Sequence, residues 1–325
     1  RDETLRTQID EKATEIAGLE SEKANLDREA NTQRAQLGEL REEISSVRSR
    51  LELLEDMRRH HEGLAAGTRA AIDHARQRPD ELPGVLGILA ERIRVPSEYV
   101  RAVEAALGEL PQAVVVESTG AADRVSEFLR TEDAGRTTLL ALDAMHAPES
   151  NGLPEGARRL SEVVECDEPL RRLVDALLGR IVLVNDIGAA RRVQQIAPGH
   201  YTAVTPQGDV LAASGALTTG APGKAAGLIG RMTEMTQLNG RLSELVGRAE
   251  RLEAAVKNLE QQAIEVDMRR RDAVAKHAEL GKEHHQVERD LSRIDETLRA
   301  LAEERTVIGR ERETLSDDIE ASLSQ

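Results

Sequence analysis

The sequence predicts a mixed α+β protein, in which a two-part α/β domain sits at the apex of a long antiparallel intramolecular coiled coil. Three observations predict it. Apolar residues recur every seven positions, in two interleaved rows, through both ends of the chain. No proline occurs before Pro79, and proline and glycine then cluster through the middle. There the seven-residue period gives way to short apolar runs alternating with helical patterns, as in a layered α/β domain.

In the first arm, one row reads Leu5, Lys12, Leu19, Leu26, Gln33, Leu40, Val47 and Leu54. The companion row reads Ile9, Ile16, Lys23, Ala30, Leu37, Ile44 and Leu51. Steps alternating between four and three residues form the a/d seam of a coiled coil. With no proline to stop it, the arm reads as one helix of about 75 residues, roughly 110 Å long at ~1.5 Å per residue. In the second arm, Leu245, Leu252, Leu259, Val266, Ala273, Leu280, Val287, Ile294, Leu301, Ile308 and Leu315 hold one row without a polar break. The other row passes through Arg270, His277 and His284 before returning to Leu291 and Leu298. A strict seven-residue repeat of this length implies a left-handed supercoil.

Neither apolar seam is stable in water, and the simplest partner for one arm is the other, running back antiparallel. If the arms leave the middle near Arg78 and Leu228, Leu54 faces Leu252 or Val256. Lys23 and Gln33 then fall near Arg270, His277 and His284, in a polar stretch that weakens the seam while fixing its register.

Pro79, Pro83 and Gly84 end the first arm. "VLGILAERIRV" follows as a strand-like run, and "SEYVRAVEAALG" as a helix capped by Ser97. "AVVVES" reads as a buried strand, "AADRVSEFLR" as a helix and "RTTLLALD" as a strand, before a Pro/Gly-rich loop at 144–156. The second half carries a short strand at 161–166, a helix at 168–178, the strand "IVLVND" and a helix at 187–195. It closes with a hairpin, "YTAVTPQGDVLAASG", turning at Pro206-Gln207-Gly208. The organisation is an arm at 1–80, a domain at 81–223 in halves 81–157 and 158–223, and an arm at 224–325.

Composition narrows the function. Charged residues make up 32% of the chain and aromatics 1%, which suits long helices better than one large core. A net charge of −15 excludes a surface that is basic throughout, leaving room for a local basic patch. Cys166 is the single cysteine, so there is no disulfide framework and no Cys-x-x-Cys metal site, as befits a reducing cytoplasm. No apolar run reaches membrane-spanning length. The chain opens on Arg1 within a helical pattern, without signal-peptide features, and reads as a segment of something longer.

"SGALTTGAPGKAAG", residues 214–227, invites a phosphate-loop reading. That loop needs Gly-x-x-x-x-Gly-Lys-Ser/Thr, but Ala225 follows Lys224 and Thr218 stands where the first glycine belongs. Glycines that permit positive φ or close backbone approach are the better account. The pairs His60-His61 and His284-His285 do not chelate in cis, because neighbouring helical positions point about 100° apart. "HEGLA" lacks the second histidine of a zinc-protease helix, and Cys166 reads as a small core residue. No constellation of nucleophile, base and oxyanion donor appears, so no catalytic, metal or cofactor site is assigned. Arg158-Arg159, Arg171-Arg172 and Arg191-Arg192, with Lys224 and Arg231, are solvated faces or, clustered in space, phosphate contacts without sequence readout.

The arrangement resembles the hinge region of SMC proteins, the structural-maintenance-of-chromosomes family, of the bacterial type. "GVLGILAERIRVPSEYVRAVEAALGELPQAVVVES" (84–118) is similar to the hinge opening, and "AGRTTLLALD" (134–143) to a Gly-Arg-x-Thr-Phe-Leu-Pro-Leu stretch. "SGALTTG" (214–220) resembles the closing Gly-Gly-x-hydrophobic-Thr-Gly-Gly motif, with Ser214 and Thr219 in place of family glycines. Leu139 and Ala141 replace the family's Phe and Pro. The resemblance implies homodimerisation at Gly215, Thr218 and Gly220, and weak, non-specific DNA contact, for which Lys224, Arg231, Arg191 and Arg192 are the candidates. It also implies a role in chromosome condensation and segregation in the cytoplasm, at the nucleoid. ATP, magnesium and accessory subunits would belong to head domains that this segment lacks, leaving it non-catalytic. The single cysteine excludes the zinc-hook relatives. A DNA-binding module, and a coiled-coil spacer whose middle domain binds a protein, are the rival readings.

Overall fold

The computed structural model describes residues 1–147, 153, 157–220 and 227–323. It divides into two compact units, Glu43–Val246, and Arg1–Glu42 with Gly247–Gln325. α1 (Asp2–Arg59) is a helix of 58 residues, shorter than the heptad pattern predicts. The residue that reverses the chain at its end is neither glycine nor proline, although Gly63, with a φ of 87°, follows two residues on. His61 takes a left-handed φ of 52°, its N–H donates to Arg58 O at 3.1 Å, and Glu62 N–H reaches Met57 O at 2.9 Å. This is a Schellman closure with histidine at the position usually given to glycine. The heptad pattern therefore carries no signal of it.

α2 (Ala66–Gln77) then packs on the globular domain rather than continuing the arm. Ala71 and Ile72 enter the main core. A Cβ on Gly67 would lie 2.6 Å from the backbone of Arg136, so only glycine permits this approach. Beside it, the hydroxyls of Thr68 and Thr137 share a hydrogen bond of 2.6 Å. The globular unit thus includes residues that the heptad reading assigns to the arm.

β1 (Val85–Ile88), α3 (Leu89–Arg92) and β2 (Ile93–Arg94) divide the run expected as one strand. Ser97 lies within a 3₁₀ turn leading to α4 (Val100–Leu107) and does not act as its cap. β3 (Val114–Val116) is wholly buried, and α5 (Thr119–Thr131) is capped by Ser118, which accepts from Ala121 N–H. β4 (Leu139–Ala141) completes a three-stranded sheet whose central strand, β3, runs antiparallel to β1 on one side and parallel to β4 on the other.

The second half repeats the plan. β5 (Arg158–Arg159), β6 (Glu165–Cys166), α6 (Arg171–Leu178), β7 (Ile181–Leu183), α7 (Ile187–Ile196) and β8 (Thr202–Val204) follow in order. β7 is antiparallel to β5 and parallel to β8 across α7, as β3 is to β1 and to β4 across α5. Asp186 caps α7 by accepting from Ala189 N–H, so "STGAADRV" (118–125) and "DIGAARRV" (186–193) perform the same step twice. β9 (Val210–Leu211) and β10 (Leu217–Thr218) extend this sheet antiparallel, to the order β10-β9-β8-β7-β5.

The halves are not independent bodies. β2 pairs with β6 through Ile93 and Cys166, and Leu160, Leu173 and Leu178 join the first half's core. A smaller core of Val182, Val184, Val193, Tyr201 and Ala203 lies in the second sheet's half. α8 (Leu228–Leu323) closes the chain.

Both units contain antiparallel stretches of α1 and α8. In the globular unit, Arg50 pairs with Glu234 at 2.7 Å, and Glu43 with Arg241. In the other unit, Arg41 meets Glu253 at 3.6 Å, Arg34 meets Glu260, and Glu20 meets Arg270 at 3.3 Å. Leu19, Val266 and Ala273 form its buried seam. The antiparallel reading holds, but the register does not. Leu54 lines a recess with Leu228, Arg231 and Met232 rather than facing 252–256. The cause is the break at His61, which starts the first arm's pairing near Arg59 instead of Arg78. The joint polar stretch survives only in part: Lys23 lines a recess with Asp267 and Arg271, one turn from the Glu20–Arg270 pair, whereas His284 meets Asp2 near the start of α1. Farther along α8, Leu291, Ile294, Leu298 and Leu301 are exposed. No described helix is long and apolar enough to cross a membrane.

Candidate dimer edge, basic surface and arm root

The glycine motif lies at the edge of the five-stranded sheet. Gly215 closes the turn between β9 and β10, with its N–H on Ala212 O at 2.8 Å and a φ of 91° that favours glycine. Thr218 lies on β10 opposite Val210, and Gly220 just beyond has a φ of 106°. A Cβ at either glycine would meet no atom within 4 Å, so nothing among the described residues crowds them. Leu217, 40% exposed, projects from the same strand. One side of β10 bonds β9, and the other carries no strand among the described residues. An unpaired edge bearing an exposed leucine can accept another strand.

The basic candidates do not form one patch. Lys224 lies outside the described residues. Arg231 turns inward: Nη1 donates to Glu62 O at 3.1 Å and Nε to Gly227 O at 3.3 Å. Its guanidinium holds the α1–α2 break to the start of α8. Arg191 and Arg192 are exposed on α7. In the other doublets one arginine is structural. Arg159 donates to Gly179 O at 2.6 Å, and Arg171 to Ser161 O and Val164 O. Arg158 reaches Glu162 at 3.6 Å, while Arg172 is exposed.

The root of α8 is a site that the sequence reading missed. The helix begins after Gly227, which has no side chain to cap it. Glu104, from α4, supplies the cap: its Oε1 accepts from Gly230 N–H at 2.9 Å, and its carboxylate also accepts from Ile229 N–H. These are two of the amides that a helix leaves unsatisfied at its start, and the helix dipole favours a carboxylate there. Glu104 is only 5% exposed, and burial pushes its carboxyl above the usual range against those two hydrogen bonds. Thr233 adds a bond to Val95 O at 3.1 Å. Cys166 is half-buried on β6, and burial pushes its thiol up, in keeping with a packing role.

The fold defines a class of protein, an α/β domain of two similar halves whose chain enters and leaves through long helices. A model of the flexible hinge domain of SMC proteins matches residues 82–194. The chain is 38% identical over 206 residues to the chromosome partition protein Smc of Myxococcus xanthus, covering 61% of this chain and 17% of the relative. It is 28% identical over 209 residues to that of Bacillus subtilis, 62% and 17% respectively. The Geobacillus stearothermophilus SMC hinge domain, described as an asymmetric dimer, superposes with a TM-score of 0.67 at 30% identity, covering 74% of this chain and 98% of that one. The chain belongs to the SMC family and spans its hinge with adjoining coiled coil. It spans less than a fifth of the length of these curated relatives. Gly215, Thr218 and Gly220 lie beyond the residues matched by the family model.

Proposed function

We propose that this chain is the hinge of a chromosome-partition SMC protein, and that two copies join through the β10 edge. The observation that carries this is the outer edge of β10, which carries no strand among the described residues, with Leu217 exposed and the Cβ positions of Gly215 and Gly220 open. The Geobacillus hinge, described as an asymmetric dimer, supports the pairing of two copies. The dimer would connect arms that lead to ATP-binding heads outside this segment, where magnesium and accessory subunits act. The complete protein would entrap DNA and act in chromosome condensation and segregation, in the cytoplasm at the nucleoid. The segment itself contributes connection rather than catalysis.

Sedimentation of the 325-residue chain tests the proposal. The wild type should sediment as a dimer at micromolar concentration. Leu217→Glu, which leaves the strained glycine positions intact, should give folded monomers, as should paired Gly215→Glu and Gly220→Glu. A wild-type monomer would favour the spacer reading, and dimers that persist in all variants would place the interface elsewhere.

A second reading rests on Arg191 and Arg192, adjacent and exposed on α7. They would give weak, sequence-independent contact with DNA phosphates, stronger for single strands than for sealed duplex. Arg231, committed to Glu62, contributes through the fold.

A further inference from the structure

Among the described residues, His284, His285 and Glu288 bring one potential ligand atom each to within 4.8 Å of one another on α8. Positions 284 and 285 alone point too far apart to chelate. Glu288 closes the gap, because it lies four residues beyond one histidine and three beyond the other, on the next turn under both. Nδ1 of His285 is 3.1 Å from one carboxylate oxygen, and Nδ1 of His284 is 3.7 Å from the other. Both rings turn the same nitrogen toward one carboxylate.

The far side of His284 supplies an independent observation. Its Nε2 lies 2.8 Å from Oδ1 of Asp2 on α1, a buried oxygen that has no hydrogen-bond partner as the rings stand. Arg6 directs Nε at the same Nε2, 3.2 Å away, and also lies 3.3 Å from Asp2 and 3.8 Å from Glu288. A proton on Nε2 would satisfy Asp2 and leave the Nδ1 lone pair facing Glu288. Carboxylate, histidine and metal in that sequence is the usual support for an imidazole ligand.

We propose that His284, His285 and Glu288 bind a borderline transition-metal cation, zinc(II) by the chemistry of the donors, with Asp2 orienting His284 from the opposing helix. Two imidazoles and one carboxylate suit zinc, cobalt or nickel, whereas magnesium and calcium take oxygen donors. Bond lengths of about 2.0–2.2 Å require the donors to draw together. His285, 71% exposed, and Glu288, 44% exposed, can rotate to do so. Arg6, 61% exposed, swings away, since a guanidinium and a metal compete for Glu288. Water completes the shell. A cation here would tie α1 to α8 through the hydrogen bond from His284 to Asp2.

Calorimetric titration of the 325-residue chain with zinc chloride, and cobalt(II) absorption spectra, test this. One equivalent should bind, and the signal should vanish in both His285→Ala and Glu288→Gln. Asp2→Asn should weaken binding by about 10- to 100-fold, the usual effect of losing an outer carboxylate. Arg6→Ala should tighten it by removing the competing charge. Circular dichroism of each variant checks that its helix content is unchanged. Zinc binding that is unchanged in His285→Ala and Glu288→Gln, or absent at millimolar zinc, would overturn the site. An Asp2→Asn variant with wild-type affinity would overturn the link between the helices.

Discussion

Replacing Glu104 tests whether the second arm is anchored to the domain by a cap supplied from another helix. In Glu104→Ala the amides of Ile229 and Gly230 lose their acceptor at a site the domain shields from water. Loss of a helix N-cap costs about 0.5–2 kcal/mol, and leaving buried donors unpaired costs about 1–3 kcal/mol. These terms overlap, and removing a buried carboxylate returns part of its desolvation cost, so a net loss of about 2–3 kcal/mol is expected. At about 2–4 °C per kcal/mol for a unit of this size, Tm should fall by roughly 5–10 °C. Glu104→Gln keeps one acceptor and should lose less than half as much.

The pH dependence supplies a second readout. Because burial raises the carboxyl in the folded protein, folding binds a proton between the unfolded and folded pKa values. The wild type should therefore lose stability relative to Glu104→Gln as pH rises from the ordinary carboxylate range through the raised value, and the difference should then level off. Urea melts of the three proteins across pH measure both effects. An alanine variant within 1 °C of wild type, or a wild-type minus Gln difference that rises with pH, would refute the capping argument.

The same residues explain what the sequence could and could not reveal. Both seams were legible, because a buried stripe at alternating steps of four and three has few other physical solutions. The antiparallel pairing followed from two seams that each needed a partner. The break after Arg59 was not legible. His61 holds a left-handed turn that glycine normally marks, and what fixes it comes from elsewhere: Arg231 on Glu62 O, and Arg69 on His61 O at 3.4 Å. That one omission displaced the register of the arms. Glu104 was invisible for a related reason. It reads as one charged residue on a short helix, and its partner lies 126 residues away. By contrast, the repeat of "STGAADRV" in "DIGAARRV" was visible throughout, and would have given both helix caps and the parallel strand pairs that flank them.

The remaining predictions follow from the same contacts. Arg191→Glu with Arg192→Glu should abolish fluorescence-detected binding of short single strands, and wild-type affinity should collapse between about 50 and 200 mM salt as counterions are released. Salt-independent binding would count against phosphate contact. Asp133, whose φ of 47° ends α5 in the same manner as His61 ends α1, should gain about 0.5–1 kcal/mol when replaced by glycine. A lower Tm for Asp133→Gly would show that its side chain, not its backbone, is the important part. The last prediction separates Arg231 as a clamp from Arg231 as a DNA contact. Arg231→Met keeps much of the apolar stem but cannot donate to Glu62 O or Gly227 O, at a cost of about 1–3 kcal/mol. Amide exchange should then accelerate in residues 60–65 and in the first turn of α8, while the five-stranded sheet stays protected. A side chain that served DNA alone would leave exchange unchanged in the free protein and alter only binding. Faster exchange at the break, with DNA affinity held to within twofold, is therefore the expected pattern, because the guanidinium is already occupied by two carbonyl oxygens before any ligand arrives.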